Sequence, residues 1–221
     1  MQRLTALFVA VICASGCVDE RPPRPEPPLG PTGFPLTTHA YTCSGDSFVV
    51  ATLEPDGGLY IFLPLDGHRL EPVRSASGAR YQAGDIAFWM KGEEARLEIA
   101  GRSQPCVEDR GATLWEDAKL RGMDFRAVGN EPGWVLEIGL DRLVLLAYYG
   151  ELLVTFPDPE RIDVNDPPST TYRAEAEGHH IEIRLTPGPC YDSMADAPAY
   201  GATVVIDLDG RRLWGCGSAL H

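Results

Sequence analysis

Short stretches of alternating apolar and polar residues, separated by turns rich in glycine and aspartate, run along most of the chain. Between residues 39 and 108 these stretches include SFVVATLEP, LYIFLPL and IAFWM, with turns such as Asp56-Gly57-Gly58 every eight to twelve residues. A period of two places alternate side chains on opposite faces of a strand, which is typical of antiparallel sheets. The pattern predicts an all-β protein, with an antiparallel barrel or sandwich over residues 39–108.

A second β-rich domain is predicted over residues 122–221. Its candidate strands are WVLEI, RLVLLAYYG, LLVTF, YRAEAEG, HIEIRL, ATVVIDL and RLWGC. Between the two domains, DRGATLWEDAKLR at residues 109–121 is predicted to form a short joining helix. PCYDSMADAPAYG is a candidate for one helical turn. An irregular loop is predicted around four prolines: Pro157, Pro159, Pro167 and Pro168.

The N-terminal segment does not follow this pattern. MQRLTALFVAVICASGC has an early arginine, an apolar run and small residues before Cys17, which is typical of a secretory signal too short to span a bilayer. ASGC resembles a bacterial lipobox, with alanine where leucine is usual. We therefore expect cleavage after residues 1–16 and acylation of Cys17 with palmitate-type chains. The alternative is an ordinary cleaved signal that leaves a free cysteine.

The residues after Cys17 predict how the chain is held. Residues 17–38 are rich in proline and charge, which predicts an extended, semi-rigid tether. Acyl chains on Cys17 would anchor the chain to a membrane. Since Val18 rather than aspartate follows the cysteine, the enterobacterial sorting rule favours the outer membrane, with the protein facing the periplasm.

Besides the signal-peptide cysteine and Cys17, four cysteines remain: Cys43, Cys106, Cys190 and Cys216. Four cysteines allow three pairings, and the periplasm is oxidising. Because two lie in each predicted domain, Cys43–Cys106 and Cys190–Cys216 are the economical disulfides. No C-x₂-C or H-x₃₋₅-H spacing occurs, so we predict no metal site and no cofactor.

The charge of the chain restricts its partners. The formal net charge is −13, with 10 acids and 6 bases in residues 39–108 and 16 acids and 7 bases in residues 122–221. This argues against binding of nucleic acid and of anionic lipid head groups, both of which need basic patches. It is compatible with a basic protein partner, although from charge alone plain solubility is the favoured explanation.

The stretch SASGARYQAGDIAFWMKG, residues 75–92, predicts a β-hairpin with an exposed rim. With a three-residue loop centred on Gly84, Ser77 is predicted to face Lys91 across the open end. A hydroxyl beside an ammonium suits insertion into a cleft lined with carboxylates. The glycines of the rim permit close backbone approach, and three aromatic residues are predicted to anchor the hairpin to the core: Tyr81, Phe88 and Trp89.

The same residues resemble a known family. SGARY followed by WMKG resembles the two signature motifs of the membrane-bound inhibitors of c-type lysozyme, the MliC type, and Tyr41-x-Cys43 with Cys106 resembles that family's disulfide frame. The resemblance implies a small antiparallel β-barrel that binds c-type lysozyme. It also implies that Ser77 and Lys91 enter the cleft and bond its catalytic Asp and Glu. The supporting residues would be Gly78, Tyr81, Trp89 and Gly92. Met90 and Arg80 depart from the threonine and lysine that are common there.

The second domain carries weaker signals. Two motifs resemble a module of uncharacterised bacterial envelope proteins: FRAVGNEPGW, and Cys190-x-Asp192-x-Met194 with Gly215-Cys216. The resemblance implies no function. The candidate residues of an enzyme site have no diagnostic spacing: Glu131, Asp192, His179 and His180. Adjacent histidines on a strand point to opposite faces, so one metal would not easily bind both. Several aromatic residues are expected to pack in the core or at an edge, with a sugar-binding surface as the alternative: Tyr148, Tyr149, Tyr172 and Trp214.

Three hypotheses result. The leading one is an outer-membrane lipoprotein, not an enzyme, that inhibits c-type lysozyme through its first domain. The second is an envelope-structural or ligand-binding lipoprotein without inhibition, and the third is an enzyme in the second domain.

Overall fold

The structure is a computed structural model that describes residues 37–45, 47–191 and 200–221. The predicted signal, Cys17 and nearly all of the tether lie outside these residues. So do Asp192 and most of the predicted helical turn. In the described ranges, no helix is both long and apolar enough to cross a membrane.

The first eight strands form a closed antiparallel barrel in which each strand pairs with the next and β8 pairs back to β1. The strands are β1 Thr38–Cys43, β2 Ser47–Leu53, β3 Leu59–Phe62, β4 Gly67–Val73, β5 Ala79–Ala83, β6 Ile86–Lys91, β7 Glu94–Ile99 and β8 Arg102–Glu108. Period-two alternation points one face of each strand into the barrel. The all-β prediction, with a small antiparallel barrel first, is confirmed.

The barrel is closed covalently as well as by hydrogen bonds. Cys43 and Cys106 are register partners on β1 and β8, and a disulfide joins them. Beside them, Tyr41 and Phe88 meet edge to face with ring centroids 5.4 Å apart in the core. Burial raises the pKa of Tyr41, and the nearby Glu108 carboxylate adds to the effect. The predicted disulfide is confirmed.

The predicted joining helix is present as α1, Arg110–Leu120. Asp109 caps its first turn by accepting a hydrogen bond from the Ala112 amide at 2.9 Å. The helix lies against β1, where Thr113 Oγ1 accepts from the Ala40 amide at 2.9 Å and the Asp109 amide donates to the Ala40 carbonyl at 2.9 Å. Past its last residue, Arg121 reaches a carboxylate of the second domain.

The second domain is a curled antiparallel sheet of nine strands in the order β12-β11-β10-β9-β17-β16-β15-β14-β13. The strands are β9 Met123–Asn130, β10 Gly133–Gly139, β11 Arg142–Ala147, β12 Leu152–Pro157, β13 Glu160–Asn165, β14 Pro168–Ala176, β15 His179–Cys190, β16 Tyr200–Leu208 and β17 Arg211–Ala219. The inner face holds an aliphatic core around Trp134, and the predicted disulfide Cys190–Cys216 is present.

The prediction of an irregular loop around the four prolines is wrong. Pro157 ends β12, Pro168 begins β14, and β13 lies between them as an edge strand. Proline lacks an N–H for the ladder and is tolerated at strand ends and sheet edges. The prolines therefore mark the ends of strands.

A buried charge cluster joins α1 to the second domain. Glu137 is fully buried on β10 and accepts from Arg121 Nη2 at 2.9 and 3.0 Å. Arg126, 2% exposed on β9, also pairs with Glu137. Arg121 Nε donates to Asp117 of the helix at 2.7 Å. Two guanidinium groups thus share one buried carboxylate.

Candidate functional site

The predicted hairpin exists, but its register differs by one residue from the prediction. Ala83 pairs with Ile86 and Ala79 pairs with Met90, so the turn is the two-residue Gly84-Asp85 rather than a three-residue loop. Extending this register places Gly78 opposite Lys91. The prediction that Ser77 directly faces Lys91 is therefore wrong.

Gly78 nevertheless brings the two motifs together. A Cβ at Gly78 would lie 2.3 Å from the Met90 carbonyl oxygen and 3.1 Å from Lys91 Cβ. Its φ is +67°, a left-handed conformation that side chains disfavour. Only glycine fits this close approach. Ser77 directly precedes Gly78, so it lies one residue beyond the position opposite Lys91.

The main chain at Ser77 is fixed by two hydrogen bonds. Its carbonyl oxygen accepts from Trp89 Nε1 at 2.8 Å and from Ser75 Oγ at 2.7 Å. Tyr81 and Phe88 both lie in the barrel core, where they anchor the hairpin as predicted, although the predicted register did not make them partners. Trp89 follows Phe88 along β6 and so points to the other face, half-buried. It therefore supports the rim instead of anchoring the hairpin in the core.

Lys91 ends β6 on the exposed rim. In the part of the chain that the structure describes, its ammonium makes no ion pair, although Glu94 is its register partner on β7. Gly92, with φ +61°, forms the turn to β7 together with Glu93. Glu93 pairs with Arg110 of the helix, and its carbonyl accepts from the Glu108 amide at 2.8 Å. The turn beside Lys91 is thus tied to the start of α1.

The two positions that depart from the family motif lie beside the rim. Met90 packs against the barrel core. Arg80 Nη2 donates to Glu98 Oε2 at 2.8 Å on the same sheet. The sequence did not indicate Ser75, whose hydroxyl fixes the Ser77 carbonyl. The repeated serine in SAS was the available signal, since serine hydroxyls commonly bond to nearby backbone groups.

Gly78→Ala is expected to lower the free energy of unfolding of the barrel by about 3 kcal/mol, because strain at a left-handed φ adds to a clash with rigid backbone. Gly84→Ala is the matched control, since its φ is +56° but no atom lies within 4 Å of the added Cβ. Gly84→Ala should lower the free energy of unfolding by only about 1 kcal/mol. Urea unfolding measures both, and equal losses would contradict the close approach at Gly78.

The candidate enzyme residues of the second domain that the structure describes are Glu131, His179 and His180, and they are not gathered into one site. Glu131 is exposed in the β9–β10 turn and lines a cavity with Trp214, whereas His180 lines a different cavity at the start of β15. His179 Nδ1 lies 2.7 Å from Asp209 Oδ2, and His180 Nδ1 lies 2.8 Å from Glu175 Oε1. Over residues 37–45, 47–191 and 200–221, no three His, Cys, Asp or Glu side chains are placed to hold a metal ion.

The pKa of Asp209 is lowered by the hydrogen bond with His179 and then by the His180 amide. Its stabilising contribution is thus present above the unfolded pKa of about 3.9 and is lost as the pH falls through the lower folded value. An NMR titration of the carboxyl should give a midpoint below about 3.9. His179→Ala should raise that midpoint, and an unchanged midpoint would rule out the histidine as the main cause.

The fold and the rim define the first domain as a small disulfide-closed β-barrel module. Residues 41–105 match the MliC family model, described as membrane-bound lysozyme-inhibitor of c-type lysozyme. The predicted resemblance is confirmed for this segment, and the family it names is one of inhibitors rather than enzymes. The matched segment ends before the second domain, whose resemblance to an envelope module stays a prediction. Neither curated proteins nor solved structures gave a match.

Proposed function

We propose that this protein is a lipid-anchored inhibitor of c-type lysozyme that inserts the rim carrying Ser77 and Lys91 into the active-site cleft. The observation that carries the proposal is an exposed lysine without an ion pair among the described residues, next to a serine whose main chain is fixed. This rim belongs to the segment that matches the inhibitor family.

The chemistry of the target explains how such a rim would inhibit. Glycosidases of this type use two carboxyl groups in a cleft, one protonated as general acid and one ionised. An ammonium placed between them favours ionisation of both and disables the general acid. The Ser77 hydroxyl would occupy a position meant for a substrate oxygen. Because hydrogen bonds already fix the main chain at Ser77, little backbone entropy is lost there on binding.

The charge around Lys91 suits a basic partner. Glu93 and Glu94 are exposed beside it, and the whole chain carries a formal net charge of −13. Since c-type lysozymes are usually basic, this charge would accelerate association, and the rate should fall as salt is added.

Trp89→Phe tests the support of the rim. The variant loses the indole N–H that holds the Ser77 carbonyl, a hydrogen bond worth about 1 kcal/mol. We expect lysozyme inhibition to weaken about fivefold, and because the bond also stabilises the free barrel, its melting temperature should fall by about 4–8 °C. Ser75→Ala removes the second bond to the same oxygen and should give a similar loss. Unchanged inhibition in the double variant would show that this carbonyl does not position the rim.

We place the protein at the outer membrane, facing the periplasm, with acylated Cys17 as its anchor and residues 17–38 as a tether. The lipobox-like ASGC and the residue Val18 support this placement. The protein should incorporate labelled palmitate in cells, and Cys17→Ser should abolish that incorporation. Labelling that persists in the variant, or that is absent from the wild type, would contradict the anchor.

The direct test is titration of the soluble chain, residues 18–221 with disulfides intact, into a c-type lysozyme acting on bacterial cell walls. Inhibition that saturates at a stoichiometric ratio would support the proposal. A folded protein that leaves lysozyme fully active would overturn it. That outcome would favour the alternative of an envelope-structural or ligand-binding lipoprotein that keeps the barrel.

A further inference from the structure

Two strongly exposed aromatic side chains lie on one face of the second domain. Tyr149 is 77% exposed and Trp214 is 52% exposed, whereas most large apolar side chains here are buried. Each lines a cavity beside the β9–β10 turn, and the two cavities share Val128, Gly129 and Asn130. We call this continuous surface the turn groove.

Tyr149 is held over one end of the turn groove. Its hydroxyl donates to the Asn130 carbonyl at 3.2 Å, and a Cβ at Gly133 would lie 2.8 Å from its ring. Tyr148 and Tyr149 have φ values of 53° and 58°, a left-handed conformation that is uncommon for large side chains. Backbone strain of this kind persists where the surrounding structure requires it, often at ligand sites.

Trp214 lies at the other end. Its neighbours on β17, Leu213 and Gly215, face the core, so the Trp214 indole points outward. A Cβ at Gly215 would lie 2.5 Å from the buried Trp134 ring, and Trp134 Nε1 donates to the Trp214 carbonyl at 3.3 Å. The main chain beneath Trp214 is thus fixed by the core.

The floor between the two rings is apolar and its edge is polar. Val128, Val135 and Leu146 are half-buried on adjacent strands and line the groove beneath Tyr149. Asn130 and Glu131 line the cavity beside Trp214. Trp214 projects from β17 and Tyr149 covers β10, with β9 between them. Two strand spacings separate these strands, roughly 10 Å.

We propose that the turn groove binds a neutral oligosaccharide. A sugar ring has an apolar C–H face, which suits stacking on an aromatic ring, and hydroxyls at its edge, which suit Asn130 and Glu131. Two rings this far apart leave room for more than one sugar unit. The Glu131 carboxylate, in a domain with 16 acids and 7 bases, disfavours an anionic ligand.

The test is calorimetric titration of chitotetraose into the soluble chain, residues 18–221, without lysozyme. We expect saturable binding that Trp214→Ala and Tyr149→Ala each weaken about tenfold or more, as for other ligands stacked on aromatic rings. Trp214→Phe should retain most of the affinity. The control Phe48→Ala removes a partly exposed aromatic of the barrel and should leave affinity unchanged.

Other outcomes would overturn the proposal. These are no binding by folded wild type, equal binding by the alanine variants, and tighter binding of tetragalacturonate, an anionic oligomer of similar size. Melting curves show whether each variant is folded. Because lysozyme inhibition is assigned to the barrel, both groove variants should inhibit like wild type, so the two proposals can fail separately.

Discussion

Lys91→Ala is expected to weaken inhibition of a c-type lysozyme about a hundredfold or more. In the proposed complex the ammonium is desolvated between two carboxylates, and truncating such a partner costs 2–5 kcal/mol or more, roughly 30-fold to several thousandfold. In the free protein the side chain is exposed at the rim, so the melting temperature should barely change. Inhibition assays and thermal melts of the same samples measure both effects.

The chain offers a matched control, because Lys119 is its other lysine. Lys119 lies in the last turn of α1, outside the hairpin motifs, and its ammonium is 3.9 Å from Glu116. Lys119→Ala should inhibit like wild type. If both variants inhibit equally well, the activity remains but the rim does not carry it. Ser77→Ala removes a hydroxyl and no charge, so it should weaken inhibition less than Lys91→Ala and more than Lys119→Ala.

Glu137→Ala is expected to lower the free energy of unfolding of the second domain by about 3–5 kcal/mol. The carboxylate is fully buried and binds Arg121 and Arg126, so its removal leaves buried positive charge without its main partner. Chemical denaturation followed by circular dichroism measures the change. A loss this large is comparable to the stability margin of a whole domain.

The control for this prediction is Glu182→Ala. Glu182 accepts from Arg173 at 2.8 Å on the exposed side of β14 and β15. Exposed pairs contribute little, so the loss should stay under about 1 kcal/mol. Equal losses for the two variants would show that the buried cluster is not what joins the helix to this sheet.

The strands and turns could be predicted because their signals are local. Alternation of apolar residues marks the inner face of each barrel strand, and two cysteines in each predicted domain indicated the pairing. The helix was also predicted, and Asp109 caps it. The strands and the helix depend on neighbouring residues, whereas the disulfides join cysteines 63 and 26 residues apart and were predicted from the division into domains.

The register of the hairpin could not be predicted from loop composition alone. Ala83-Gly84-Asp85 fits a loop of two or of three residues, and the choice shifts every cross-strand pair. The signal that distinguishes them is nonlocal, because only the two-residue turn pairs Tyr81 with Phe88 in the core. Weighing that aromatic pair would have placed Gly78, rather than Ser77, opposite Lys91.

Two other features depended on tertiary structure. The prolines beside β13 resembled those of a loop, since proline is compatible with both a loop and an edge strand. The aromatic residues of the turn groove are distant in sequence, and alternation does not reveal that Tyr149 and Trp214 line one surface. They share a surface because β9 lies between β10 and β17 in the sheet.

The contact between α1 and β1 determines where the barrel can be cut from the rest of the chain. A fragment ending at Glu108 would retain every barrel strand, yet it would lose Thr113 and Asp109, whose groups hydrogen-bond to Ala40. Ala40 is fully buried in the whole chain, and this cut would expose it to water. A recombinant barrel intended as a minimal reagent should therefore extend through the helix to Arg121.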